Sequence, residues 1–268
     1  MAADEHERAK RSAEFRFYEE LNDFLPAARR KVCFMQAFYG TPAVRDVIQA
    51  IGVPHTAVDL VLVDGCSVGF GHRLRGGERV AVYPVFERLD ISPLVRLRPE
   101  PLRRTRFILD VHLGKLARDL RMLGFDSAYS PHFDDATLID RSLAEGRIIL
   151  TRDVGILKQS RVTHGYWLSS TRPERQLPEV LEALQVGGQA RPFTRCLDCN
   201  GLLEPVGKDA VGGRVARPIL DRFDLFRQCL DCRKVYWQGS HYRRMLQRLQ
   251  IIVPGAAAAA PGGPQGDA

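Results

Sequence analysis

Apolar and polar residues alternate with a period of two at the start of the chain. EFRFYEEL (14–21) and KVCFMQAF (31–38) alternate enough along an extended backbone to predict two strands. The period then changes. In TPAVRDVIQAIG (41–52), Val44, Val47, Ile48 and Ile51 recur at helical spacing. Thr41 is the expected N-cap, Pro42 the first helical residue and Gly52 the stop. VDLVLVDG and RVAVYPVF return to strand patterning. Two strands, a helix and further strands in this order fit a β-grasp fold, expected over residues 14–90. Residues 1–12 are charged and aperiodic, and are read as a loose tail.

A Pro- and Arg-rich stretch, ISPLVRLRPEPLRRTR, supplies an expected linker at 91–105. From Arg106 onward short apolar runs alternate with amphipathic segments. RFILD is a strand that ends in an acid. HLGKLARDLRMLG is a helix with Leu113, Leu116, Ala117, Leu120 and Leu123 on one face and Gly124 at its stop. FDSAYS, RIIL and GYWLSS predict strands, while DDATLIDRSLAEG, DVGILKQS and LPEVLEALQ predict helices. Such alternation implies a parallel sheet covered by helices, here over 106–188. Ligands of such sheets bind beyond the carboxyl ends of the strands.

That rule directs attention to the acids. Asp110 ends one strand and Asp153 ends another, in "TRD", while Asp134 and Asp135 open a helix. Each aspartate alone has a plain explanation as a helix cap. Together they suggest a shared site, because carboxylates at close range disfavour one another's ionisation unless a cation sits among them. Hard oxygen ligands suit Mg²⁺ or Mn²⁺, and such ions activate water in phosphodiester cleavage. Lys115, Arg118 and Arg152 lie near these acids in sequence and suit phosphate contacts; for Arg118 a solvated helix face is the competing reading. His112 is either a base or phosphate contact or a plain surface histidine.

The rest of the composition adds a second metal. Of six cysteines, four form two C-x-x-C pairs, Cys196/Cys199 and Cys229/Cys232, separated by residues 200–228, while Cys33 and Cys66 stand alone. Paired knuckles close a tetrahedral S₄ site, so a structural Zn²⁺ ribbon is expected over 189–250. Its surroundings are basic and aromatic; Trp237 either stacks on a base or packs under the ribbon. The chain has 268 residues and a net charge of +7, and its pI is about 9.3. That charge favours an anionic partner such as RNA. The end of the chain, 251–268, is low in complexity and is expected to be a disordered tail. No leader-like segment and no apolar run near ~18 residues is visible, so the expectation is a cytoplasmic protein without a membrane partner.

Two resemblances extend these readings. LVLVDGCSVGFGHRLRGGERVAVYPVF resembles ubiquitin-like and sulfur-carrier β-grasp proteins. Sulfur carriers end in an exposed Gly-Gly, whereas this segment runs on into ERLDISPLVRL. The resemblance therefore implies recognition or scaffolding, with a protein partner bound through the β-grasp domain, rather than sulfur transfer. FILDVHLGKLARDLRMLGFD and DDATLIDRSLAEGRIILTRDVGIL, with the cysteine pairs downstream, resemble the RNase domain at the C-terminus of the Mut-seven exonuclease, a PIN-like nuclease. That resemblance implies RNA hydrolysis at Mg²⁺ or Mn²⁺ held by Asp110, Asp135 and Asp153, with Asp134 the alternative to Asp135. The fold class expected is α/β: a β-grasp domain, a PIN-like parallel-sheet domain and a zinc ribbon. The function expected is a metal-dependent ribonuclease, with Lys115 at the catalytic acids and Arg118, Arg152 and Trp237 on the nucleic acid. The alternative is a non-catalytic RNA-binding module on the same fold.

Overall fold

The computed structural model describes residues 10–84 and 105–253. The expected linker falls outside them apart from its last residue, as do residues 1–9 and 254–268 of the expected tails. The described residues form two compact units. The first holds the N-terminal sheet together with residues 142–145 and 149–169; the second holds 105–141, 146–148 and 170–253.

The N-terminal sheet has five strands: β1 (Lys10–Phe17), β2 (Phe34–Tyr39), β3 (Leu60–Val63), β4 (Cys66–Ser67) and β5 (Arg79–Tyr83). Their order is β2-β1-β5-β3-β4, with β1 and β5 parallel and the other pairs antiparallel. Helix α1 (Val44–Ile51) packs Val44, Val47 and Ile48 against Ala13, Phe15 and Phe17 of β1 in one apolar cluster. This is the expected β-grasp arrangement. β1 begins four residues earlier than the pattern suggested, so Lys10–Ser12 belong to the sheet, where they pair with residues of β2. The end of EFRFYEEL turns into a 3-10 helix over Glu19–Phe24.

The start of α1 also departs from expectation. Ala43, not Thr41, is the N-cap, and no side chain caps the helix. Its first amides find backbone partners instead: Val44 N donates to the His72 carbonyl (2.8 Å) and Arg45 N to that of Phe70 (3.3 Å). Helix-end donors need a partner, but it need not be a side chain.

Residues 149–169 are held to this unit by polar contacts around His55. Gln49 Nε2 donates to the Lys158 carbonyl at 2.7 Å and lies 3.0 Å from His55 Nδ1. His55 Nε2 lies 2.9 Å from the Val162 carbonyl. A neutral ring protonated at Nε2 satisfies both neighbours, accepting from Gln49 and donating to Val162. Phe24 meets Trp167 nearby, with ring centroids 4.8 Å apart.

The remaining elements are β6 (Arg106–Leu109), α2 (Gly114–Met122), β7 (Asp126–Tyr129), α3 (Asp135–Glu145), β8 (Ile148–Thr151), α4 (Val154–Lys158), β9 (Gly165–Trp167) and α5 (Pro173–Ala183). β6 to β9 form a four-stranded sheet of order β7-β6-β8-β9, in which β6 pairs with β7 and β8 with β9 in parallel. Leu113, Leu116, Ala117, Leu120 and Leu123 are all buried, as the helical spacing required. α5 starts a turn earlier than expected, at Pro173, a residue suited to a first helical turn.

A third sheet, of order β10-β11-β12, is antiparallel: β10 (Leu203–Val206), β11 (Phe226–Cys229) and β12 (Val235–Trp237). Helices α6 (Lys208–Val211) and α7 (Arg217–Arg222) fill the loop between β10 and β11, and α8 (Ser240–Ile252) follows β12. None of these three helices was read from the pattern, and α8 takes in Ile251 and Ile252 from the expected tail. No helix among the described residues is long and apolar enough to cross a membrane.

Gly124 lies between α2 and β7. Its φ is +87°, and a Cβ there would run into the Arg191 carbonyl oxygen. On either side Arg191 N donates to the Leu123 carbonyl (2.8 Å) and Phe193 N to that of Met122 (2.9 Å). Gly124→Ala combines a left-handed strain with a backbone collision and is expected to cost about 2 kcal/mol or more, measured as a lower midpoint in urea.

Burial, assisted by Arg45 and opposed by the Val162 hydrogen bond, holds the His55 pKa below its ordinary 6.5. The unfolded chain then takes up a proton below about pH 6.5 that folded His55 refuses, so stability is lost as pH falls from there toward the folded pKa. The melting temperature should drop between about pH 7 and pH 5 more for the wild type than for His55→Gln. Equal drops would remove His55 as the cause.

Candidate active site and metal centre

Each candidate acid sits where a strand hands over to a helix. Asp110 follows β6 and is 9% exposed. Its carboxylate accepts a hydrogen bond from Val111 N at 2.6 Å, and so caps a 3-10 turn over Val111–Leu113. His112, on that turn, and Lys115, in the first turn of α2, are exposed. Asp153 follows β8 and caps α4, accepting from Gly155 N at 2.6 Å. Its own amide is held by the Thr151 hydroxyl at 2.9 Å, and its side chain is exposed.

Capping and metal binding are compatible, because one amide uses one of about four lone-pair directions on a carboxylate. A capped carboxylate is also fixed in orientation.

The structure separates the two neighbouring acids of α3. Asp134 is the cap: Thr137 N donates to it at 2.7 Å, and the Thr137 side chain and amide hold its carboxyl below the usual range. Asp135 is the first helical residue and is exposed. Among the cations, Lys115 and Arg118 are exposed on α2. Arg152 is exposed too, with Nε 3.4 Å from the Leu168 carbonyl, while its own carbonyl accepts from the Trp167 indole at 3.2 Å. Asp110, Lys115, Arg118, Asp134 and Asp135 belong to the second unit, and Arg152 and Asp153 to the first.

The four cysteines do come together. Their sulfurs all lie within 4.8 Å of one another, with Cys196 to Cys232 at 3.6 Å and Cys199 to Cys229 at 3.3 Å. Zinc with Zn–S bonds of about 2.3 Å at a tetrahedral centre sets sulfurs roughly 3.8 Å apart. Burial opposes charge on Cys196, but the amides of Cys199 and Asp198 and the Tyr236 hydroxyl outweigh it and bring the thiol down to about 7. Burial and the other sulfurs push Cys199 up to about 12, and burial with the sulfurs of Cys196 and Cys229 raises Cys232, opposed by the Lys234 amide and Cys199. Charge on Cys199 and Cys232 is therefore disfavoured unless a cation compensates. The donor set and its spacing fit Zn²⁺.

A family model described as the Mut7-C RNAse domain matches residues 105–249. The chain belongs to this family. A second model, the Mut7-C ubiquitin domain, matches residues 10–90. Comparison with curated proteins and with solved structures gave no significant match.

The Mut7-C match thus takes in β6 to β12 with all four cysteines, and its description indicates a nuclease-type function. Three polar clusters within this Mut7-C region escaped the sequence reading. Arg121 is 4% exposed; its Nε donates to the Ser127 carbonyl at 2.9 Å, and one terminal nitrogen reaches the Leu197 (3.2 Å) and Asp198 (2.7 Å) carbonyls in the first knuckle. Asp126 pairs with Arg147 at 2.6 Å and Arg195 at 3.4 Å and accepts from Asn200 at 2.8 Å. Burial works against its charge, yet Arg147 and Asn200 hold its carboxyl below the usual range. Asp119 receives both terminal nitrogens of Arg248, each at 2.7 Å. All three join residues far apart in sequence, and no local spacing announces them.

Trp237 packs under the ribbon, the plainer of the two readings made of it. It is half-buried against the Val211–Val215–Phe226 cluster, and it also lines an open groove.

The purified chain should carry one zinc per molecule by mass spectrometry of the metal. Cys229→Ser should lose that zinc and unfold the ribbon, lowering the melting temperature by several degrees or more, because metal binding here is folding free energy. A zinc-free protein with an unchanged melting temperature would contradict this.

Proposed function

We propose that the chain is a metal-dependent ribonuclease that hydrolyses RNA phosphodiester bonds at Mg²⁺ or Mn²⁺ held by Asp110, Asp135 and Asp153. The match of an RNAse-domain family over 105–249, within which all three acids fall, carries this reading. The local structure supports it. Asp110 directly follows β6 and Asp153 lies two residues beyond β8, both strands of the β7-β6-β8-β9 sheet, and each carboxylate is oriented by an amide. Asp135 is taken as the third ligand by its place in the motif, and Asp134, which caps the helix, is the alternative.

When bound, a divalent ion supplies a Lewis acid for the phosphoryl oxygens and lowers the pKa of water at the site. The protein's share is placement. The three carboxylates set where the ion rests, and Lys115, one turn beyond Asp110, neutralises a non-bridging phosphate oxygen as water adds to phosphorus and the ribose oxygen leaves. Arg118 and Arg152 take flanking phosphates, and Trp237 stacks on a base. Zn²⁺ held by Cys196, Cys199, Cys229 and Cys232 would have its four ligand positions filled by thiolates, leaving none for water, and would take no part in hydrolysis.

The ubiquitin-like domain is proposed to hold a protein partner. Edge strand β2 exposes Met35 (58%) and Tyr39 (67%), large apolar surfaces that a partner would cover.

Zinc-loaded protein should cleave labelled RNA with added Mn²⁺ or Mg²⁺. Asp110→Asn and Asp153→Asn should each lower the rate at least about a hundredfold while the melting temperature stays within a few degrees. Variants that cut as fast as the wild type would place the activity elsewhere. RNA binding without any cleavage would instead favour a non-catalytic binding module.

A further inference from the structure

The groove beside Trp237 lies wholly within the second unit and has a volume of about 580 Å³. That is the size of a site for a small ligand or a few groups of a larger one, not for a duplex. One wall is the outer part of the ribbon, with Arg227, Tyr236 and Trp237. The other is the start of α8, with Tyr242, and Arg118 on α2 also lines the groove.

The charges on this lining are of one sign. Arg118, Arg195, Arg227 and Lys234 all line the groove, and no carboxylate does. Two of the four are already matched: Arg195 by Asp126 at 3.4 Å, and Lys234 by Asp198. Among the described residues Arg118 has no hydrogen bond or ion pair. Arg227 has no ion pair there, its guanidinium reaching only the Leu203 carbonyl at 3.4 Å. The groove thus keeps two cations for an anion.

The aromatic rings between them are held in place. The Tyr236 hydroxyl lies 3.1 Å from Cys196 Sγ and accepts from Leu197 N at 3.2 Å, so the cysteine cluster anchors that ring. Phe193 lies against Tyr242 with centroids 4.5 Å apart, and the Phe226 cluster backs Trp237. A rigid aromatic face loses little entropy when a flat group stacks on it.

Stacking faces between unmatched guanidinium groups suit bases and phosphates presented together. Bases inside a duplex are already stacked and cannot reach such faces. We infer that this groove binds unpaired nucleotides of the RNA, with phosphates on Arg118 and Arg227 and a base on Trp237 or Tyr242, and so selects single-stranded over duplex RNA. The inference rests on RNA being the substrate, as proposed for the nuclease, but does not require cleavage. It also gives the zinc a second task, since the ion that closes the knuckles fixes one wall of the groove.

The test is fluorescence anisotropy of a labelled oligouridine and of a duplex of equal length, with full-length, zinc-loaded protein and no added divalent ion. The single strand should bind at least about tenfold tighter than the duplex. Arg118→Gln and Arg227→Gln should each weaken it several-fold and reduce the slope of log affinity against log salt by about 0.7, the loss of one phosphate contact. Tyr242→Ala and Trp237→Leu should weaken binding about tenfold, with Trp237→Phe restoring most of it and zinc content unchanged throughout. Equal affinity for the duplex, unaltered salt slopes in both arginine variants, uridine monophosphate binding as tightly as the oligomer, or no RNA binding at all would each overturn the inference. Asp153→Asn separates the two readings, since it should bind the single strand normally. If the groove variants lose binding but no form of the protein cleaves, the groove stands and the ribonuclease reading falls.

Discussion

A buried arginine joins the zinc knuckle to the parallel-sheet region. Arg121, in the last turn of α2, spends its guanidinium on carbonyls: Ser127 on β7, and Leu197 and Asp198 in the loop between Cys196 and Cys199. Burial lowers its pKa, while the nearby thiols and Asp198 and Asp126 favour its charge. Removing the side chain would leave three inward-facing carbonyls short of a donor, a cost of about 1–3 kcal/mol for each group left unsatisfied. Through this residue the cysteine cluster, the edge of the sheet and α2 with Lys115 and Arg118 become one arrangement. Gly124 and the Asp126 cluster then reinforce the same junction from its two sides.

The opposition between capping and catalysis also dissolves at this level. Asp110 and Asp153 do cap the turns behind them, as the plain reading of each aspartate supposed. A cap bond to one oxygen fixes the rotamer of the whole carboxylate, so each of these side chains has little freedom left to lose. Asp134 and Asp135 differ at one helix start: Asp134 accepts from the Thr137 amide, and Asp135 is the first helical residue.

Much of this was legible in the chain. RFILD and RIIL were visible as strands because short apolar runs bounded by glycine and acids have few other uses, FDSAYS because it falls between two amphipathic segments, and the α2 face because five apolar residues kept helical spacing. The four cysteines announced their own cluster. What escaped notice was set by distant partners. Ala43 replaces Thr41 at the α1 start because the backbone of Phe70 and His72 satisfies the helix from outside. α8 carries one fully buried apolar residue, Leu249, too thin a stripe for periodicity to register. Nothing local marks Arg121 and Asp126, whose partners at the first cysteine pair stand some 70 positions away.

The clasp between Asp119 and Arg248 has a consequence in time. The two residues stand 129 positions apart, and Asp119 is 6% exposed, so its carboxylate is enclosed on the assumption that Arg248 will be there. A growing chain that has passed Asp119 but not reached Arg248 lacks that counter-charge. The nuclease-type region is therefore among the last parts of this chain able to settle during synthesis, whereas the ubiquitin-like sheet, complete by Tyr83, is free to form its five strands while the acids proposed for catalysis are still unmade.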